Sequence, residues 1–142
     1  MADTIEQRAL AAIIRHEKAR QLVDSLTRDI GISVARCPID KEALIQGHGD
    51  LWTQDQKHTK THLWQAFQHL EPSSCGWGEV HLCDDGVFDA LAEGSEFDCV
   101  HCYYAFKFIV ARRAARKELG HARLSIRALG RSALKSCGGL ES

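Results

Sequence analysis

The sequence predicts a mainly α protein: a long antiparallel helical hairpin of coiled-coil type, with a small metal-stapled α(+β) head inserted between its two helices. Three observations carry this. Two long segments repeat apolar residues at spacings of four and three. The only two prolines, Pro38 and Pro72, fall between those segments, where a chain must turn. Cys99-Val100-His101-Cys102 sets two thiols in C-x-x-C spacing at the start of the second helix, and Cys37 stands where the first should end.

The first helix covers residues 1–37. Its repeat runs Ile5, Ala9, Ala12, His16, Ala19, Val23, Leu26, Ile30, Ser33 and Cys37, the seam of a coiled coil rather than of an isolated surface helix. Pro38 ends it, because proline discourages helical geometry in the residue before it. Residues 38–98 form the head. There the sequence suggests a helical turn at Lys41–Gln46, a loop at Gly47–Asp50 and an amphipathic helix from Thr59 to Leu70 using Leu63, Trp64, Phe67 and Leu70. A turn from Glu71 to Gly78, a short strand from Glu79 to Cys83 and a helix from Asp84 to Ala92, acidic in its first turn, complete the head.

The second helix covers 99–136, with a Gly-rich, flexible tail at 137–142. Its seam is Ala105, Phe108, Arg112, Ala115, Leu119, Ala122, Ile126, Leu129 and Ala133. If Cys37 faces the Cys99–Cys102 turn, Val23 falls opposite Ala115, Ala19 opposite Leu119, Ala12 opposite Ile126, Ala9 opposite Leu129 and Ile5 opposite Ala133. Large faces small at nearly every layer, as close packing requires. His16 and Arg112 are the polar exceptions, read as snorkelling or register-setting residues. Gly120, unfavourable in a helix interior by about 1 kcal/mol, suggests close approach by a partner.

A chain of 142 residues is expected to be one domain. No apolar run reaches the length of a membrane span, and Met1 to Gln7 is unlike a secretory signal, so a cytoplasmic location is expected. That setting favours reduced thiols over three disulfides for the six cysteines. Charge is unevenly spread: Lys and Arg against Asp and Glu number six and five in 1–37, three and twelve in 38–98, and nine and two in 99–142. An acidic middle and a basic second helix offer different faces to partners.

Three groups of residues carry candidate chemistry. Cys99, Cys102 and Cys37 supply three soft donors for a structural zinc ion, with Cys83 the preferred fourth and His81, His101 and Cys75 behind it. Inert buried thiols or a redox pair would also fit the spacing, although the βαβ context of a thioredoxin-like motif is missing. A metal would also order a head poor in apolar residues. Cys137 reads as a free, exposed thiol. His58 and His62 lie at i and i+4, with His69 and His48 nearby, a spacing used by metal-dependent hydrolases. No Glu stands beside His58 to act as base, and the chain contains no Asn, which leaves solvated surface histidines as the plainer reading and a nuclease as a distant one.

Arg113, Arg116, Arg123 and Arg127 lie along one side of the second seam, a stripe suited to phosphates through sequence-blind backbone contact. Pairing with acids of the first helix would compete with this, but few are available: Asp3, Glu6, Glu17, Asp24 and Asp29. Tyr103, Tyr104, Phe106, Trp52, Trp64 and Trp77 concentrate aromatics around the head, for core filling or for a partner groove. Leu10 and Ile14, on the outer face of the first helix, suggest a homodimer or cover by the head.

Cys37-Pro38, Thr61-His62-Leu63-Trp64, Cys99 to Cys102, and the run from Arg113 through Gly120 to Ile126-Arg-Ala-Leu-Gly130-Arg together resemble small uncharacterised zinc-binding proteins encoded by tailed phages and prophages of proteobacteria. The resemblance spans most of the chain. It implies a partner among host, defence or phage proteins and brings no site residues with it. The expectation is therefore a non-enzymatic, zinc-stapled protein acting by macromolecular interaction, with sequence-nonspecific nucleic-acid binding as the alternative.

Overall fold

A computed structural model describes residues 4–38 and 61–141, with side chains described through Cys137. The element order is α1 (Ile5–Ala35), α2 (His62–Gln68), β1 (Leu70–Pro72), β2 (Glu79–His81), α3 (Asp84–Leu91) and α4 (Val100–Glu141). The protein is mainly helical, with two long helices and a small α+β segment between them in sequence. The expected turn at Lys41–Gln46, the loop at Gly47–Asp50, and Trp52, His48 and His58 lie outside the described residues.

The chain divides into two compact units, residues 1–27 with 110–142, and residues 28–109. In the first unit the N-terminal part of α1 packs antiparallel against the C-terminal part of α4. Thr4 starts α1 with a reciprocal cap: its hydroxyl accepts from the Gln7 amide at 3.1 Å, and its own amide donates to the Gln7 side chain at 2.8 Å. Ala12, Ala19 and Leu26, each seven residues apart, are buried, as are Ala115 and Ala122 on α4. Every residue of both predicted seams in this unit is buried or half-buried. Ile5, Ala9, Ile126, Leu129 and Ala133 line one cleft, as the antiparallel register requires. Alanine at the most buried layers lets the helices approach closely, so dispersion contacts replace bulk.

Two polar contacts reinforce that register. The Arg15 guanidinium forms a two-pronged ion pair with Glu118, with Nη2 to Oε2 at 2.8 Å. Arg112, half-buried in the seam, donates to the Thr27 hydroxyl at 3.3 Å, and that hydroxyl donates to the Val23 carbonyl at 2.8 Å. The seam arginine thus reaches a polar rim, as its snorkelling role requires.

The second unit is built on an aromatic and aliphatic core. Phe106 is fully buried, with ring centroids 4.7 Å from Phe88 and 5.7 Å from Phe67. Leu63, Ala66, Val87 and Leu91 fill the remaining space from α2 and α3. β1 and β2 form an antiparallel ribbon pairing Leu70 with His81, Glu71 with Val80 and Pro72 with Glu79. Its turn uses Gly76 and Gly78 in the left-handed region at φ 81° and 71°.

Several boundaries differ from expectation. α2 is shorter than Thr59–Leu70, because Thr61 caps it and Leu70 enters the ribbon. β1 lies where the end of that helix and the start of a turn were expected. Its three residues are all exposed and give no periodic signal, and only the partner strand supplies their hydrogen bonds. α4 continues to Glu141, through the glycines expected to end it in a flexible tail.

Candidate metal centre

Four side chains from three separate segments meet in the second unit: Cys37, His62, Cys99 and Cys102, whose donor atoms all lie within 4.8 Å of one another. Each segment is held by its own backbone. After α1, the Arg36 amide donates to the Ser33 carbonyl at 3.2 Å and the Cys37 amide to Val34 at 3.1 Å. This tightened last turn brings the Cys37 thiol inward just before Pro38.

His62 is the first residue of α2, which Thr61 caps by accepting from the Trp64 amide at 3.1 Å. That cap sets where the imidazole stands, with Nδ1 3.1 Å from the Cys37 sulfur. The His62 amide also donates to the same sulfur at 3.5 Å.

Cys99 is delivered by the return of the chain onto α3. The Phe97 and Cys99 amides donate to the Ala90 and Leu91 carbonyls at 2.9 and 3.2 Å, and the Ser95 hydroxyl donates to Ala90 at 2.6 Å. Gly94, at φ 78°, makes that return possible. Its amide donates to Asp98 Oδ2 at 3.0 Å. The carbonyls that α3 leaves open at its end therefore fix the first ligand of α4. Cys102 follows one turn later, and its amide donates to the Cys99 sulfur at 3.4 Å.

The geometry suits a tetrahedral ion. With metal–sulfur bonds of about 2.3 Å, neighbouring sulfurs in a tetrahedron stand roughly 3.8 Å apart. The Cys37 and Cys99 sulfurs are 3.8 Å apart, far beyond a disulfide bond, and all six cysteines are free. Cys37 and Cys99 are buried and Cys102 is wholly inaccessible. Burial pushes the Cys37 and Cys102 thiols above their ordinary range. For Cys37 this is opposed first by the His62 amide. A cation among these sulfurs reverses that preference, since a coordinating thiol loses its proton outright.

The three expected cysteines are thus brought together, but the fourth side chain in the group is His62 rather than Cys83. Cys83 is exposed and caps α3, its sulfur accepting from the Gly86 amide at 3.4 Å. This is the arrangement that Cys99 makes with Cys102 at the start of α4, so the local sequence does not separate the two cysteines. Cys75, His81 and His101 also lie elsewhere. Cys75 contacts the Ser73 hydroxyl at 3.2 Å in the ribbon turn, His81 is exposed at the end of β2, and His101 is outside the four-residue group.

By spacing, His62 groups with His58 and His69 as a solvated or hydrolase-like set. It stands instead beside sulfur, while His69 lies 3.6 Å from Glu71 and packs edge-on against Phe97. Position does not single it out: like Cys99 and Cys102, His62 lies at the opening of a helix, but so does the excluded Cys83, and only the contact with the Cys37 sulfur separates them.

Arg113, Arg116, Arg123 and Arg127 are all exposed on α4. Comparison with protein-family models, curated proteins and solved structures gives no significant match. No helix among the described residues is long and apolar enough to cross a membrane.

Proposed function

We propose that the chain is a non-enzymatic binding protein whose second unit is ordered by one structural zinc ion. The supporting observation is the donor set: three buried sulfurs and one imidazole nitrogen within 4.8 Å of one another. Thiolate and imidazole donors in a tetrahedron favour zinc over hard cations. Four protein donors close the shell, whereas a catalytic zinc keeps a position for water or substrate. Cys37, His62, Cys99 and Cys102 would hold the ion, which supplies the charge that keeps the thiols ionised. The amides of His62 and Cys102 orient the sulfurs they reach.

The work of the ordered unit is protein contact through the ribbon. Both strands are exposed at every position, and Leu70, Val80 and the 86% exposed Trp77 present apolar surface that no described residue covers. The resemblance to phage and prophage proteins points to a host or phage protein as the partner.

Metal analysis of the purified protein tests the zinc assignment. The expected result is about one zinc per chain, lost in Cys37→Ser, His62→Ala, Cys99→Ser and Cys102→Ser and kept in Cys83→Ser. Full zinc content in Cys102→Ser, or none in the unaltered protein, refutes it. For the ribbon, a photocrosslinker at position 77 is expected to give one discrete protein adduct in cells, abolished by Val80→Asp. An adduct indifferent to Val80 refutes the contact surface.

A further inference from the structure

We propose that the exposed face of α4 is a binding ridge for the phosphate backbone of double-stranded DNA. Positions 113, 116, 120, 123, 127 and 130 recur at spacings of three and four and therefore share one face of the helix. They read Arg, Arg, Gly, Arg, Arg, Gly. Charge and shape on this face each require an explanation that the described residues do not supply.

The charge is not neutralised among the described residues. Glu118, the single acid of α4 before its final residue, is taken by Arg15. On α1, Glu17 and Asp24 are both held by Arg20, at 2.6 and 3.1 Å. Arg113 is engaged within the chain. Arg116, Arg123 and Arg127 are exposed and make no ion pair among the described residues. Three such guanidiniums along a rigid rod form a site for repeated negative charge.

The glycines give the second, independent observation. Glycine is unfavourable inside a helix, and the side chain it lacks leaves room for another group to come close to the backbone. A methyl group built at Gly120 or Gly130 would meet nothing within 4 Å, so no described neighbour needs the space. Both gaps lie on the arginine face, between and beyond the cations. A phosphodiester strand seated there can approach the helix backbone while the flanking guanidiniums reach its oxygens.

Stiffness and composition select duplex over single strand. From Ile109 onward α4 carries no Phe, Tyr or Trp on which unstacked bases could rest, and its one imidazole, His121, lies off the ridge. A helix bearing charges at fixed intervals matches a stiff duplex better than a coil.

Fluorescence anisotropy with a labelled 24-base-pair DNA duplex tests the inference, using the full chain with its metal content measured in parallel. Three phosphate contacts give a log–log salt slope of about −2.7, so affinity falls about 40-fold between 50 and 200 mM salt. Arg116→Gln with Arg123→Gln is expected to reduce the slope to about −0.9, leaving a fall of about 3.5-fold. Lys107→Gln with Lys135→Gln, equal charge removed off the ridge, is expected to change the slope by less than about 0.5.

Gly120→Leu, which favours the free helix, is expected to raise the melting temperature yet weaken DNA binding about 10-fold, because the side chain fills the gap. No binding at 50 mM salt, an unchanged slope in the double arginine variant, undiminished affinity in Gly120→Leu, or tighter binding to single-stranded DNA or to duplex RNA each overturns the inference. It goes beyond the zinc reading and is independent of it: a fully zinc-loaded protein that ignores DNA defeats this inference alone.

Discussion

The two compact units stay folded by different means. Residues 1–27 and 110–142 rely on repetition: alanines and leucines seven apart, a capping box at Thr4 and one cross-helix ion pair. Each layer contributes its own share of burial. Residues 28–109 instead combine a small core around Phe106 with a single cluster of donors from three segments. With the proposed zinc bound, loss of one donor there would affect all three segments. The contrast is between distributed and concentrated stability.

The strongest way to break this contrast is at the cluster. Cys102→Ser, or a strong chelator, is expected to remove the proposed zinc ion and unfold residues 61–99. Zinc binding of order 10 kcal/mol in small domains makes the loss global for that unit. Hydrogen exchange should show lost protection at Leu63–Ala66 and Val87–Leu91 while Ala115–Leu129 stays protected. Equal loss in both units would mean that stability is not partitioned in this way.

In the helical pair, Leu26→Ala should cost about 2–4 kcal/mol by denaturant titration, through lost burial and the cavity left behind. Zinc content should not change. A smaller effect is expected at the start of α1, where Thr4→Ala removes one side of the reciprocal cap at a cost of about 1 kcal/mol. The smallest concerns pH. The hydrogen bond from Arg15 holds the exposed Glu118 carboxyl below its ordinary value. Its stabilising effect is therefore complete above the unfolded-state value of 4.5 and is lost as pH falls through the depressed value. Glu118→Gln should flatten the acid limb of the stability profile slightly, and an unchanged limb would show that the pair contributes nothing measurable.

The same contrast governs what can be read from the chain. In the helical pair, which side chains are buried follows from spacing alone, and even the register between α1 and α4 follows once Cys37 is set against the C-x-x-C turn. In the other unit the reading succeeds for Cys37, Cys99 and Cys102, where helix ends supply a landmark. It fails for β1, whose three residues have no period, and for the fourth member of the cluster, where it favours Cys83, with His81, His101 and Cys75 behind it, and never considers His62.

By itself, then, the sequence determined the long helices, their buried faces, the basic character of α4 and the three-sulfur core of the candidate metal centre, because periodicity, proline and ligand spacing act over a few residues at a time. Tertiary structure decided the fourth donor. Cys83 and Cys99 are locally equivalent, each capping a helix with its sulfur. What separates them is that the carbonyls at the end of α3 draw Cys99 inward, while the cap at Thr61 presents His62 to the Cys37 sulfur. Those are contacts between segments distant in sequence, and no local pattern encodes them.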